Sequence, residues 1–402
     1  MPTLLQINVT SNWGSTGKIA EQIGVTAQHC GWKSYIAYGR HETPSQLKTI
    51  KIGNAIDVYE HYIENRFLDR EGLASRRSTK HFLEQIDEIN PDIVHLHNIH
   101  DHYLNYKLLF DYLALKKIPV VWTQHDCWAF TGHCAHFDGV GCNKWKQGCC
   151  NCPLKKSISL DRSKENYELK KNLFTSLSSL TLVPVSDWLG SMLRMSFLKE
   201  QSICVIKNGI NLDDFKQKNN HDDIRAKYNL DKRKIIMGCA SVWTSSKGFD
   251  DFIKLRSLLS ISEYTILLVG VNKEQISELP KGIIGLERTN TKSELVDLYS
   301  IADVFVNPTY SDTYPTTNLE ALACGLPVIT YQTGGSPESI DEKTGVVIER
   351  GNIDALANAV IGMTKNPLIS EACRKRAEEY FDSKKCFEKY INLYNQILRK
   401  NL

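Results

Sequence analysis

Short apolar runs of strand length alternate with stretches of helical length and periodicity along almost the whole chain, and few architectures tolerate that rhythm. In the first half, strands are expected over residues 4–9, 34–38, 92–97, 120–123 and 182–185. Helices are expected over 17–30, 82–89, 106–116 and from Trp188 onward. The second half repeats the pattern. Strands are expected over 235–240, 264–269, 283–286, 304–307, 328–330 and 344–348, with helices over 249–259, 293–301, 316–324 and 353–363. Strands that each lead into a helix bury their apolar faces as a parallel sheet covered by helices. Two series of similar length predict an α/β chain of two doubly wound, Rossmann-like domains. The stretch from Val205 to Phe215 has the turn chemistry of a join, and a polar stretch follows it. The expected domains are 1–207 and 208–380. An amphipathic helix is expected over 381–402, with Tyr390, Leu393, Tyr394 and Ile397.

Ligands of such folds meet the C-terminal ends of the strands, so the loops there hold the candidate residues. After the strand ending at Asn307 comes Ser311-Asp312-Thr313-Tyr314-Pro315-Thr316-Thr317-Asn318-Leu319-Glu320, which runs from loop into helix. Asp312 and Glu320 stand eight positions apart. Thr316, Thr317 and Asn318 fall at the helix start, where unsatisfied N–H groups and the helix dipole favour an anion. Carboxylates for hydroxyls beside amides for phosphate suit a nucleotide-sugar. Ser245-Ser246-Lys247-Gly248 opens another helix and adds a cation. In the first half, Asn12-Trp13-Gly14-Ser15-Thr16-Gly17-Lys18-Ile19 links the first strand to the first helix, and its small residues let backbone N–H groups approach a phosphate. It is no Walker A loop: Asn12 stands where that motif has Gly, and Ile19 where it has Ser or Thr. His95-Leu96-His97-Asn98 and Thr123-Gln124-His125-Asp126 end two further strands. His125 could bond a sugar hydroxyl or stabilise developing charge, and His95 is expected to point into the sheet.

The run from Ala302 to Glu338 resembles the donor site of the retaining glycosyltransferases of family four. That site carries two Glu residues with seven between them, then a small-residue run with Gly and Pro-Val. Glu320 is the second acid here, and Asp312 replaces the first. Asn208-Gly209-Ile210-Asn211…Phe215 resembles the family's linker, with Asn211 where Asp is usual. Lys247 matches the lysine that contacts the donor diphosphate. Val242, after Ser241, stands where the family has Arg, so a second cation would have to come from elsewhere, Arg288 being one candidate. The resemblance implies the GT-B fold, two facing Rossmann-like domains with the last helix crossing back to the first. It implies a nucleotide-diphosphate-sugar donor, front-face attack with retention, and no cofactor for the chemistry. Asp312 would orient the donor sugar, Glu320 would hold the ribose, and His125 would point at the sugar. Lys247, Pro315, the amides of Thr316, Thr317 and Asn318, and the loop of Gly14, Ser15 and Gly17 would take the diphosphate. The acceptor would be a saccharide, free or on a lipid diphosphate. Two alternatives stay open: a sugar-nucleotide epimerase of the same architecture, and a non-catalytic nucleotide-sugar sensor.

The first seven residues carry no basic region or cleavage site and enter a strand at once, so no signal peptide is expected. Twelve cysteines then point to a reducing compartment. Cys134, Cys142, Cys149 and Cys152 have the spacing C-x7-C-x6-C-x2-C, which fits either a structural zinc with four thiolates or a set of reduced thiols. With Trp128, Phe130, Thr131, Gly132, Trp145 and Pro153, this loop is similar to those of a capsule and exopolysaccharide branch of family four that includes enzymes of colanic-acid type. Lys144, Lys146, Lys155, Lys156, Arg162, Lys164, Lys170 and Lys171 outnumber the acids around them, giving either a surface for anionic lipid or a solvated face. A net charge of +3 is too small to suggest nucleic acid. A cytoplasmic location, peripheral on the inner face of the membrane, is expected.

Overall fold

The computed structural model describes residues 1–155, 160–218, 222–230 and 232–400. It divides into two compact units, Met1–Lys207 with Lys384–Leu402, and Asn208–Ser383. Both are parallel-sheet, Rossmann-like α/β units.

The strands of unit 1 are β1 (Thr3–Asn8), β2 (Lys33–Tyr38), β3 (Lys48–Lys51), β4 (Ile93–Leu96), β5 (Val120–Gln124), β6 (Leu180–Pro184) and β7 (Ser202–Ile203). They form one sheet of order β3-β2-β1-β4-β5-β6-β7. The order reverses between β1 and β4, which makes that gap the topological switch point where doubly wound sheets bind ligands. The helix Gly14–His29 begins directly above it. That helix lies so close to the loop after β1 that a Cβ at Gly17 would fall 2.6 Å from Thr10 Oγ1. Leu4, Ile93, Val121 and Val183 pack against Ile19, Ile23 and Ala27 of this helix. Phe387, Tyr390, Ile391 and Tyr394 of the C-terminal helix Ser383–Lys400 join the same core.

The strands of unit 2 are β8 (Lys234–Cys239), β9 (Tyr264–Val269), β10 (Ile283–Leu286), β11 (Val304–Asn307), β12 (Val328–Tyr331) and β13 (Gly345–Ile348), in the order β10-β9-β8-β11-β12-β13. The central strands are buried on both faces, as a helix-covered parallel sheet demands; all six residues of β9 are buried. Ile236, Ile266, Val304 and Ile329 meet Phe252 and Leu255 of the helix Phe249–Leu258 and Leu356 and Val360 of the helix Ile353–Lys365. The switch point lies between β8 and β11. No helix among the described residues is long and apolar enough to cross a membrane.

Several elements differ from the sequence expectations. The short β3 and β7 were not anticipated, nor were the helices Ala55–Leu68, Ser163–Phe174 and Ser370–Tyr380. The first helix starts at Gly14 rather than Gly17.

Candidate functional site

In unit 2, the loops after β8 and β11 rise from the two strands that flank the switch point. They are laced together by backbone contacts. Tyr310 N–H donates to Ser246 O at 2.8 Å. Gly248, at φ +80°, lies so near the second loop that a Cβ would sit 2.3 Å from Pro308 O. This contact brings Lys247 to Asp312: the ammonium donates to Asp312 Oδ2 at 2.7 Å and to Ser311 O at 3.3 Å. The other carboxylate oxygen of Asp312 accepts from Tyr314 N–H at 3.2 Å. Gly334, at φ +51°, closes over the same loop, where a Cβ would meet Asp312 O at 1.8 Å.

Two partners of this loop lie far away in sequence. Asp251 is 1% exposed and accepts from both Tyr310 and Tyr331, at 2.7 and 2.8 Å. Burial, then the Asp251 bond, push the Tyr310 phenol up to about 12. A buried carboxylate thus anchors the loop that carries Asp312.

Pro315 forms the N-terminal boundary of the helix Thr316–Ala323. Asn318 is buried; its side chain accepts from Asn307 Nδ2 at 2.8 Å and donates to Ser339 Oγ at 3.0 Å. Its N–H is turned back on Pro315 O at 3.2 Å. The helix start therefore offers the amides of Thr316 and Thr317, and the expected contribution from the Asn318 amide is already engaged in the turn. Glu320 Oε2 accepts from the fully buried Tyr299 hydroxyl at 3.0 Å. Burial, with Cys239 and Glu320 beside it, holds that phenol well above its usual range, so it stays a donor. Val242 is 65% exposed, and Arg288 is exposed just past β10.

In unit 1, the loop after β1 is shaped by Asn12 at φ 49°. Its side chain donates to Pro44 O at 2.6 Å, and its carbonyl accepts from Thr43 at 2.6 Å. Gly14 and Ser15 are exposed, whereas Gly17 is buried against Thr10. At the ends of β4 and β5 the histidines form one group, with His95 and His97 buried and His125 half-buried. His97 Nδ1 lies 3.1 Å from His125 Nε2, with the rings stacked 5.4 Å apart. His97 Nε2 faces Gln6 Oε1 at 3.1 Å. His95 is buried but faces the C-terminal helix rather than pointing into the sheet, bonded to Thr123 Oγ1 at 2.8 Å and the Tyr394 hydroxyl at 2.7 Å. Burial lowers all three imidazoles, His125 to about 4, so they are neutral at physiological pH.

The adjacent pair behaves in the opposite way. His100 Nε2 lies 2.9 Å from Asp126 Oδ2. Burial works against both charges. The mutual attraction overrides it, raising His100 to about 9 and lowering Asp126 to about 2, with the Trp128 N–H also holding the carboxylate.

Cys134, Cys142, Cys149 and Cys152 line one small cavity of about 10 Å³ walled by Phe137 and Trp145. Cys149 Sγ accepts from Gly132 N–H at 3.2 Å, and His133 Nε2 lies 3.1 Å from Cys152 Sγ. Burial raises the thiols of Cys134 and Cys149 to about 12 and 11. Among the described residues, no three or more His, Cys, Asp or Glu side chains are arranged to hold a metal ion. The basic surface expected here is smaller than the sequence suggests. Lys170 is buried, donates to Trp128 O at 2.8 Å and lies over the Trp128 ring, with its amine lowered by burial to about 7. Lys155 is spent on Asp69 at 2.9 Å. Lys144, Lys146, Lys164 and Lys171 are exposed, and Lys156 lies outside the described residues.

Gln6, Asp251 and Tyr299 escaped the sequence reading. Gln6 and Tyr299 are polar within apolar stretches, which is the one signal that marked them; Asp251, beside Asp250, carried none.

Residues 31–214 match the model of Glycosyltransferase Family 4, and residues 220–380 that of the Glycosyl transferases group 1. A putative colanic acid biosynthesis glycosyl transferase of Escherichia coli is 24% identical over 98% of this chain and 100% of its own length. A capsular polysaccharide biosynthesis glycosyltransferase of Staphylococcus aureus is 24% identical over 50% of this chain and 58% of its own. Among solved structures, sucrose-phosphate synthase from Thermosynechococcus elongatus superposes with a TM-score of 0.72 at 18% identity, covering all of both chains. WaaG, a glycosyltransferase involved in lipopolysaccharide biosynthesis, gives 0.68 at 15% identity, covering 97% of this chain and 99% of its own.

Proposed function

The chain belongs to the family-four glycosyltransferases of GT-B fold, and on that premise we propose that it is a retaining enzyme that moves a sugar from a nucleotide-diphosphate donor to a saccharide acceptor during bacterial surface polysaccharide assembly. The observation that carries the reading is the pairing of Lys247 with Asp312 at the unit 2 switch point, one turn before the helix that bears Glu320. In this reading Asp312 orients the donor sugar and Glu320, held by Tyr299, binds the ribose. Lys247 and the amides of Thr316 and Thr317, following Pro315, take the diphosphate and stabilise its charge as it leaves. Asn318 shapes the helix start. His125 meets a hydroxyl of the sugar, and the loop of Gly14 and Ser15 lies at the diphosphate, with Gly17 setting how close it comes.

The acceptor proposed is a saccharide on a lipid diphosphate. A relative from Campylobacter jejuni, 26% identical over 50% of this chain, is an N-acetylgalactosaminyltransferase that acts on such a molecule by name. A lipid-linked acceptor would bring a cytoplasmic enzyme to the inner face of the membrane, with Lys146, Lys164 and Lys171 available for anionic headgroups, while Lys144 donates to Cys150 O and Asn151 O. No cofactor is assigned to the chemistry. A structural zinc on Cys134, Cys142, Cys149 and Cys152 is proposed separately. The four thiols surround one cavity, and the Gly132 N–H suits a thiolate, which these buried sulfurs become only with a cation beside them. About one zinc per chain in protein purified without chelator supports it; metal-free protein rejects it.

The test is a panel of nucleotide-diphosphate sugars with a lipid-diphosphate saccharide, the product's anomeric configuration being determined by NMR. Transfer with retention supports the proposal. An inverted product rejects the mechanism. Isomerised donor without transfer indicates an epimerase, and bound donor that is never hydrolysed or transferred indicates a sensor.

A further inference from the structure

We propose that Gln6 and His97 are positioning residues that hold His125 in the tautomer with its proton on Nε2 and a lone pair on Nδ1. The inference deepens the role given above to His125 and rests on that reading for its bearing on transfer.

The argument starts at a group that cannot change roles. Ala20 O is an acceptor only, and Gln6 Nε2 donates to it at 2.9 Å. That bond fixes the Gln6 amide, since a flipped amide would set its oxygen against the carbonyl. Gln6 Oε1 therefore faces His97 Nε2 at 3.1 Å as an acceptor, and His97 Nε2 must carry a proton. His97 is fully buried, so its imidazole stays neutral and its Nδ1 keeps a lone pair. Across the 3.1 Å contact, that lone pair has to receive a proton from His125 Nε2. With Nε2 protonated and the ring neutral, His125 Nδ1 is an acceptor.

Two neighbours are engaged elsewhere. His95 is packed beside His97, but its two nitrogens are engaged by Thr123 and Tyr394. Asp126 is engaged by His100 and the Trp128 N–H.

The tautomer decides between two kinds of chemistry. A neutral imidazole unprotonated at Nδ1 is a hydrogen-bond acceptor there, the role a sugar hydroxyl calls for. It cannot donate from that atom to an oxygen gaining negative charge. Stabilising the leaving diphosphate then falls to Lys247 and the helix amides, and His125 selects a hydroxyl-bearing sugar face.

The experiment is ring nitrogen NMR on protein labelled with ¹⁵N-histidine, the His125 signals being assigned by their loss in His125→Asn. At neutral pH, His125 Nδ1 should resonate as an unprotonated nitrogen and Nε2 as a protonated one. In Gln6→Glu the added carboxylate should draw a second proton onto His97. Its Nδ1–H would then donate to His125 and move the His125 proton to Nδ1. Transfer should fall by about tenfold or more, the scale of one lost hydrogen bond to substrate. A wild-type spectrum with His125 Nδ1 protonated overturns the proposal even if Gln6→Glu fails to fold. An unchanged His125 tautomer in folded Gln6→Glu overturns the part given to Gln6. If the tautomer is as inferred but His125→Asn transfers at the wild-type rate, the sugar-contact reading falls and the tautomer stands.

Discussion

Each unit presents residues at its own switch point, but the two handle charge in opposite ways. In unit 2 the charges are kept: Lys247 and Asp312 are 37% and 22% exposed and meet as an ion pair. In unit 1 the histidines at the ends of β4 and β5 are neutral, His97 buried and His125 half-buried, and hydrogen bonds define them. An exposed pair contributes only ~0–1 kcal/mol to stability, so Lys247 and Asp312 are poor staples. They are available to exchange each other for a ligand. Buried imidazoles act through lone pairs and protons fixed in place.

The sharpest way to break this comparison is to remove the unit 2 cation. Lys247→Ala should lower kcat by about 100- to 1,000-fold, the usual range for losing one group that stabilises developing negative charge. Circular dichroism and melting should change little, because the pair is partly exposed to solvent. A loss of less than tenfold would place the leaving-group cation elsewhere, and Arg288→Ala would then be the variant to measure.

Glu320→Gln should have the next largest effect, roughly tenfold or more in donor affinity, since a charge-assisted bond to a hydroxyl is worth ~1.5–3 kcal/mol. The measurement is calorimetric titration with the donor and with the nucleoside diphosphate alone. Equal losses for both ligands support contact with the nucleoside half, and a loss confined to the intact donor would move Glu320 to the sugar.

The sequence carried the fold because a parallel sheet writes itself as apolar runs between helices, and β1, β5, β9 and β11 are such runs. It was silent where an element has little core to face. All four residues of β3 are exposed or half-buried, and β7 has two residues. The helix Ala55–Leu68 leaves Ile56, Tyr59 and Phe67 exposed, so its apolar residues do not mark a buried stripe. Among the candidate residues, Asp312 and the start of the helix Thr316–Ala323 were visible because one loop holds them in sequence. Asp251, Tyr299 and Gln6 reach their partners only after folding, across 59, 21 and 91 residues. The engagement of the Asn318 amide also needed coordinates, since residue type does not reveal a turn that folds back.

Tyr299 offers a smaller perturbation of the same half. Tyr299→Phe removes the hydroxyl that fixes Glu320 and leaves the carboxylate present. Donor affinity should drop by a few-fold, less than in Glu320→Gln, with the double variant no worse than Glu320→Gln alone. Additive losses in that cycle would show that Tyr299 acts independently of Glu320.

The smallest expected effect concerns stability and separates two neighbours within unit 1. His100 titrates near 9 in the folded chain against an ordinary 6.5, so its contribution is complete below about pH 6.5 and is lost as pH rises through about 9. Asp126 titrates near 2 against 3.8, so its contribution is complete above about pH 4 and is lost as pH falls through about 2. The pair should therefore stabilise most between about pH 4 and 6.5. His125 runs the other way: lowered to about 4, it gives up stability as pH falls below the ordinary 6.5 of a free imidazole. Melting curves of wild type and Asp126→Asn across that range separate the two. The destabilisation by Asp126→Asn should be largest near pH 5 to 6 and shrink above pH 9, while His125→Asn should lessen the loss of stability on acidification. A constant difference between wild type and Asp126→Asn at all pH values would mean that Asp126 acts as a neutral hydrogen-bond acceptor, and the charged and uncharged halves of this histidine group would no longer be distinct.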